Sequence, residues 1–346
     1  MGWKLALFYA SENHIDKLLR KTYCQLLGSH TENNRVTSKK GDSTEVFGAL
    51  LQLTDPRARL SRAMGRSILF SGVGELAWYL AGDDTIAFIS HYLGMIYANF
   101  SDDGGITANG AYGKRIFLPR GASQWDRVIG LLRERPGSRN AVIQVFSNDD
   151  AAKGSNDIPC TCTLQFVIRG GALHLHVHMR SNDAWIGLPH DIFSFTMLQE
   201  IAAVELQCEI GTYQHSVASL HLYDDNEFKP SRTFAQQYCD EGTFEEIAMP
   251  KMPAGDPWPS IQEFLNCERE YRAGNINFEP SSALPQYWQN LAMIPKLHSI
   301  IKGKVQGVDY DGMILALDPC YRVLVVDHVD RWAGSEHTAF DILRNH

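Results

Sequence analysis

The chain has 346 residues, 44% of them hydrophobic and 10% aromatic, enough to bury one large core or one core with an appendage. Its formal net charge of −8 argues against a protein that coats nucleic acid, and no apolar run is long enough to span a membrane. Seven widely spread cysteines, an odd number, read as reduced thiols in a cytoplasm, and the N-terminus carries no signal-peptide cleavage pattern.

In chain order, residues 14–28 place Ile15, Leu18, Leu19, Tyr23, Leu26 and Leu27 at helical spacing, with Gly28 as a stop. A polar stretch holding Arg35, Lys39 and Lys40 then leads into a strand over 43–53. Residues 66–83 read as a helix in which Glu75 stands among Leu69, Phe70, Val73, Leu76, Trp78 and Leu80. A carboxylate there is costly unless it is protonated, hydrogen-bonded or employed in chemistry. Further on, Pro159 favours an extended lead into a strand, so Cys160 sits at a strand edge before Leu164, Phe166, Val167 and Ile168. By itself such a Cys is more often a small core residue than a nucleophile. Cys160 and Cys162 have the wrong spacing for a zinc knuckle and take opposite faces of a strand.

After a Gly170–Gly171 turn, Leu173, Leu175 and Val177 alternate with His174, His176 and His178. The histidines share a face, but a metal would also need a carboxylate or thiolate from elsewhere. No metal is assigned, and they read as a polar face at a sheet or subunit contact. Arg180 and Ser181 close the strand, and a guanidinium fork beside a hydroxyl suits a phosphate. A helix spans 192–206, a strand 219–223 and a helix 287–303, and Pro319 opens a last helix capped by Asp318.

Pro159-Cys160, Gln165-Phe166, Arg180-Ser181-x-Asp183 and Gly187-Leu188-Pro189-x-Asp191-Ile192, at these offsets, resemble the signature of the thymidylate synthase family. The Glu75 helix ending in Gly82-Asp83, the Tyr112-Gly113 turn, Ser138-Arg139 and His221-x-Tyr223 extend the resemblance over residues 30–230. It implies an α+β fold: a large mixed sheet flanked by helices, with a catalytic domain over 1–240 and a helical C-terminal extension over 241–346. It also implies a homodimer in which Arg139 reaches the partner's site.

The roles it implies are specific. Cys160 is the nucleophile, Glu75 organises water and moves protons, Tyr112 helps remove the C5 proton, and Asp191 reads the base. Arg139, Arg180, Ser181, Gln165, Asp183, His221, Tyr223, Lys39 and Lys40 bind a pyrimidine nucleoside monophosphate. Tyr97, Phe100, Asp183 and Gly187 serve the co-substrate, methylenetetrahydrofolate. No membrane and no stable nucleic-acid partner is expected. Several positions depart from the family pattern. Ser38 stands where a phosphate-binding arginine is usual, with Lys39 and Lys40 beside it. Tyr97 and Phe100 replace two tryptophans, Arg139 remains of an arginine pair, and Ala218 or Ser219 replaces a strand aspartate. Residues 241–346 stand in place of a short segment that closes over the folate.

Thiolate attack at the pyrimidine C6 would make C5 a carbon nucleophile, with Arg180 and Arg139 expected to lower the thiol pKa. Asp191 replaces an asparagine that pairs with N3–H and O4 of uracil in thymidylate synthases. Cytosine reverses both edges, and an ionised Asp191 accepts from N4–H and, once N3 is protonated, from N3–H. A cytosine nucleotide is therefore the expected substrate, deoxycytidylate favoured over cytidylate because Ser181 follows Arg180. With the tryptophans and the closing segment replaced, water rather than hydride is expected at the C5 methylene, giving a 5-hydroxymethyl product. The alternatives are a 5-methyltransferase of deoxycytidylate, cytidylate or deoxyuridylate and a silent relative that binds nucleotide or messenger RNA. A thiol protease or amidase is a third, though no histidine signature flanks Cys160.

Overall fold

A computed structural model describes residues 7–29, 34–62, 67–152, 154–226, 230–242 and 246–333. Strand β1 (Phe8–Glu12) runs into helix α1 (Ile15–Gly28) through His14, whose Nδ1 accepts from the Asp16 N–H at 3.2 Å. Strands β2 (Arg35–Ser38) and β3 (Gly41–Leu53) form a hairpin with Lys39 and Lys40 at its turn. Helices α2 (Leu69–Ala81) and α3 (Ile86–Leu93), a 3-10 helix (Gly94–Phe100), α4 (Tyr112–Phe117) and α5 (Gln124–Glu134) follow. Next come β4 (Val142–Gln144), α6 (Asn148–Ala152), β5 (Thr161–Arg169), β6 (Ala172–Asp183), α7 (Gly187–Glu205) and β7 (Glu209–Tyr223). Helices α8 (Ser231–Asp240), α9 (Trp258–Arg272), α10 (Gln286–Lys302), α11 (Tyr310–Leu315) and α12 (Pro319–Ala333) complete the described chain.

The strands form one mixed sheet in the order β1-β3-β7-β6-β5-β4, with β2 paired to β3. The β1–β3 and β6–β7 pairs are parallel and the others antiparallel. Alternation puts Leu51, Leu164, Phe166, Leu175, Val177, Tyr213 and Val217 on the buried face, against which α1 and α7 pack. Helix α7 is buried on most of its circumference, and the amide nitrogen of its polar Gln199 is satisfied from the sheet: Nε2 donates to the Leu173 and Gly211 carbonyls at 2.9 and 3.1 Å. The opposite face carries cross-strand polar pairs, His174 with Thr212 (2.9 Å), His176 with Gln214 (3.1 Å) and His178 with Ser216 (3.0 Å). The histidine stripe is a polar sheet face.

On the four central strands the buried parity slips by one residue along a common line. The slip falls at Gly48 in β3, where φ is +84°, at Cys162 in β5, at Arg180–Ser181 in β6 and at Ala218–Ser219 in β7. An offset of one turns every following side chain to the other face, and glycine accepts the positive φ that such a bend requires. The consequence is that Asn182, rather than Ser181, enters the core beside α7.

The C-terminal helices share this core through Phe264, Trp288, Leu291, Ile294 and Tyr321. Tyr92 of α3 donates to Glu268 of α9 at 2.8 Å, and Arg272 pairs with the same carboxylate at 2.7 Å. Fully buried Arg59 pairs with Glu200 of α7, whose Oε1 accepts from the Met252 N–H at 3.0 Å.

Two differences from the sequence reading bear on the site. The helix expected from residue 192 begins at Gly187, because proline is tolerated in a first helical turn, so Asp191 lies within the helix. Strands β1, β2 and β4 have 5, 4 and 3 residues, too few for alternation to show.

Candidate active site

Cys160 stands half-buried immediately before β5. Arg180 straps the segment that carries it. Its backbone N–H donates to the Cys160 carbonyl at 2.9 Å, its Nε to the Pro159 carbonyl at 2.9 Å and its Nη2 to the Ile158 carbonyl at 2.7 Å. A guanidinium has further N–H donors, which remain for an anion. Burial pushes the Cys160 thiol up, and Asp191 and Asp157 add to the rise, while Arg180 and Lys40 pull it down. The expected lowering is thus not found in the free site, because desolvation outweighs the cations. Arg139 is exposed in the turn before β4.

Tyr112 opens α4, and its hydroxyl accepts from the Thr161 N–H at 3.3 Å, one residue from the thiol. Gly113 permits this approach: a Cβ there would lie 2.4 Å from the Tyr79 carbonyl oxygen in α2. Asp157 fixes the preceding turn by accepting from the Gly110 N–H at 2.7 Å. From α2, buried Glu75 accepts on Oε1 from the hydroxyls of Tyr79 (3.1 Å) and Tyr97 (3.2 Å). Burial nonetheless raises it to about 7. Asp191, facing Glu75 from α7, is pushed well above the carboxylate range by burial and then by the Glu75 charge, against one hydrogen bond from Asn182 Nδ2 at 2.8 Å. Burial therefore favours the protonated form of Asp191, against the ionised form expected from the sequence. Gly187 makes room for this pair, since a Cβ on it would lie 2.9 Å from Asn182 Nδ2.

The nucleotide residues divide. Asp183 Oδ1 accepts from the Trp185 and Ile186 N–H groups at 2.9 and 3.1 Å, turning the chain from β6 into α7. His221 lies opposite Asp183 in the β6–β7 register and meets Tyr223 edge to face at 4.9 Å. Tyr223 is hydrogen-bonded to Ser38, which ties the β2–β3 turn to the pocket, and the Lys40 charge acts on both Cys160 and His221. Lys39 is exposed at the same turn, and Arg35 is committed to Asp224 at 2.7 Å. Ser181 is half-buried between Arg180 and Asn182, opposite Ser219. Gln165 lies away from this group. It pairs with His176 in the register of the polar face, and its Nε2 donates to the Arg139 carbonyl at 2.8 Å, so it supports the Arg139 turn. The side chain of Phe100 lies outside the described residues.

Sequence reading missed Thr161, Asn182, Tyr213 and His215. Thr161 Oγ1 is buried beside Cys160 without a hydrogen-bond partner among the described residues. Behind Asn182, His215 Nε2 lies 3.0 Å from Asn182 Oδ1, and Tyr213 OH lies 2.7 Å from His215 Nδ1. A histidine on the apolar face of a strand, between Tyr213 and Val217, was the available signal.

Among known proteins, the thymidylate synthase family pattern matches residues 25–240. The chain belongs to the thymidylate synthase family. A relative, deoxyuridylate hydroxymethyltransferase of Bacillus phage SP01, is 28% identical over 269 residues, 70% of each chain. This thymidylate synthase family enzyme transfers a one-carbon unit to a pyrimidine nucleotide, with methylenetetrahydrofolate as co-substrate. The residues present suit a folate: Tyr97 meets Trp78 edge to face at 5.5 Å beside Glu75, and the buried Trp78 Nε1–H has no partner among the described residues. Among the described residues, no helix is long and apolar enough to cross a membrane.

Proposed function

We propose that this enzyme acts on deoxycytidylate and releases its 5-hydroxymethyl derivative. The observation that carries the reading is Asp191: a half-buried carboxyl in the pocket of Cys160, Glu75 and Tyr112, hydrogen-bonded to Asn182 and held toward its protonated form by its surroundings. Cytosine presents an acceptor at N3 and a donor at N4, and a carboxylic acid matches both at once. The Cys160 thiol gives up its proton to solvent, with Arg180 and Lys40 stabilising the anion, and the thiolate adds to C6 as Asp191 passes its proton to N3. The resulting Asp191 carboxylate then accepts from both N3–H and N4–H, so its charge is strongest as the adduct forms. Arg180 and Lys40 hold the phosphate and the sulfur anion, with Lys39 and the Ser181 hydroxyl beside them, while His221 and Tyr223 meet the sugar.

Methylenetetrahydrofolate supplies the one-carbon unit at the oxidation level of formaldehyde. Tyr112 and Glu75 take the C5 proton; Glu75, poised near neutrality, both accepts and returns protons at working pH. Removal of that proton expels tetrahydrofolate and leaves an exocyclic methylene at C5; water held by Glu75 adds to it, and as the C6–S bond breaks N3 returns its proton to Asp191 and Cys160 leaves as the thiolate. The relative's name supports hydroxymethyl transfer but names deoxyuridylate, so a uracil nucleotide is the second reading; Asp191 favours cytosine over it. Exposed Arg139, on a turn held by Gln165, fits a homodimer in which it reaches the partner's phosphate site. Residues 1–240 form the catalytic unit and 241–346 an extension packed on it, and seven free thiols fit the cytoplasm. Release of tritium from C5 of deoxycytidylate, cytidylate and deoxyuridylate, each with methylenetetrahydrofolate, tests the substrate. Turnover fastest with deoxycytidylate is expected; turnover confined to deoxyuridylate would overturn the proposal.

A further inference from the structure

We infer that Tyr213, His215 and Asn182 form a polarised relay that fixes which oxygen of Asp191 carries the proton, and so makes the acid read cytosine rather than uracil. The inference rests on Asp191 being the base-reading group. The chain of contacts is Tyr213 OH to His215 Nδ1 at 2.7 Å, His215 Nε2 to Asn182 Oδ1 at 3.0 Å, and Asn182 Nδ2 to Asp191 Oδ2 at 2.8 Å. Tyr213 and His215 are completely buried and Asn182 nearly so, while Asp191 is half-buried at the pocket end of the chain.

Each link has a direction. Burial holds His215 down at about 3, so the ring is neutral and one nitrogen donates while the other accepts. Two self-consistent arrangements of hydrogens exist. In the first, Tyr213 O–H donates to Nδ1, Nε2–H donates to Asn182 Oδ1, and the Asn182 amide donates to Asp191 Oδ2. In the second, everything is reversed: the amide is flipped, Asp191 donates to its oxygen, and Nδ1–H donates to the Tyr213 oxygen. The second leaves the buried Tyr213 hydroxyl hydrogen without an acceptor, since His215 is its one hydrogen-bond partner among the described residues. An orphaned buried donor is enough to disfavour that arrangement at least about tenfold. A remote hydroxyl therefore sets the direction of the whole relay.

The consequence is chemical. With Oδ2 accepting from Asn182, the acid proton resides on Oδ1, and Asp191 offers one donor and one acceptor in a fixed order. Cytosine fits with N3 on Oδ1 and N4–H on Oδ2. Uracil in the same pose would set N3–H against O–H, and O4 against an oxygen that is already accepting. An acid free to exchange its proton between oxygens would pair with either base. Gly187 protects the arrangement, because any side chain there would press on the Asn182 amide.

The test is the ratio of kcat/KM for deoxycytidylate to that for deoxyuridylate. Tyr213→Phe removes one hydroxyl and no volume from the core, and the ratio is expected to fall about tenfold; Asn182→Leu should lower it about a hundredfold. His215→Gln can accept from Tyr213 and donate to Asn182, so it should keep more of the ratio than His215→Leu, a difference that a packing role alone would not produce. Thermal melts identify any variant that fails to fold, and the isosteric Tyr213→Phe keeps the test open in that event. An unchanged ratio in Tyr213→Phe and Asn182→Leu, with a changed ratio in Asp191→Asn, would overturn the relay alone. An unchanged ratio in Asp191→Asn as well would overturn the base-reading assignment beneath it.

Discussion

The pocket has two walls, and they are charged by different means. On the strand wall, the cations that oppose the burial of Cys160 come from long exposed side chains, Arg180 and Lys40. On the helix wall, Asp191 and Glu75 receive hydrogen bonds from neutral groups held in the fold, Asn182, Tyr79 and Tyr97. A charge at the end of an exposed side chain is screened by salt and changes when an anion binds; a buried dipole responds to neither. The nucleophile is thus adjustable by the incoming phosphate, whereas the proton supply is fixed before substrate arrives. Separating the two environments lets one pocket hold a thiol and two acids in different states at one pH.

The sharpest way to break the comparison is to remove each wall's reacting group in turn. Cys160→Ser should lower turnover by ~10⁴-fold or more while calorimetry shows nucleotide binding within a few-fold of wild type, because phosphate binding needs no thiol. Near-normal turnover would end the covalent mechanism. Asp191→Asn should change the base preference by ~10²–10³-fold toward deoxyuridylate, since an amide has no acidic proton to pass to N3 of cytosine. A preference that does not move would mean that the base is read elsewhere.

Glu75 tests the claim that the helix wall holds protons at neutral pH. Its ordinary value of 4.5 is raised to about 7 in the fold, so between these values the folded state binds more protons than the unfolded one. Stability must then fall as pH rises through that window, and the loss is complete above it. Glu75→Gln removes this dependence. The variant should gain on wild type by on the order of 3 kcal/mol between the acid and alkaline sides of the window, read by urea unfolding, while kcat drops by ~10²-fold. A pH-independent stability difference would contradict a raised Glu75.

Much of the site was legible because chemistry at fixed offsets is hard to mimic: Cys160 after a proline, Arg180-Ser181 at a strand end, Glu75 on an apolar helix. Their convergence in one pocket follows from strands β5 to β7 being neighbours, α7 lying over β6 and β7, and α2 packing against α7. What was hidden depended on facts that no local pattern carries. The parity slip at Gly48, Cys162, Arg180 and Ala218 decides that Asn182 faces inward and that Gln165 does not, and a slip of one residue leaves the alternation on either side intact. The protonation of Cys160 and Asp191 was misread for a related reason, since neighbouring charges can be listed from sequence but the depth of burial that opposes them cannot.

The strand wall yields the smallest expected effects. Mixing Cys160→Ser and Arg139→Ala variants should restore part of the lost activity if each homodimer site takes Arg139 from the other subunit, and no recovery after subunit exchange would count against that arrangement. Lys40→Ala should raise the nucleotide KM several-fold, and the penalty should shrink at high salt, as for an exposed charge. A penalty insensitive to salt would place Lys40 among the buried contacts instead.

The most direct measurement is the identity of both products. The enzyme is incubated with equal deoxycytidylate and deoxyuridylate and with methylenetetrahydrofolate, the nucleotides are resolved by mass spectrometry, and the folate is followed by its absorbance. The account expects 5-hydroxymethyldeoxycytidylate as the main product, with tetrahydrofolate left unoxidised. A 5-methyl nucleotide accompanied by dihydrofolate, or modification of deoxyuridylate alone, would contradict it.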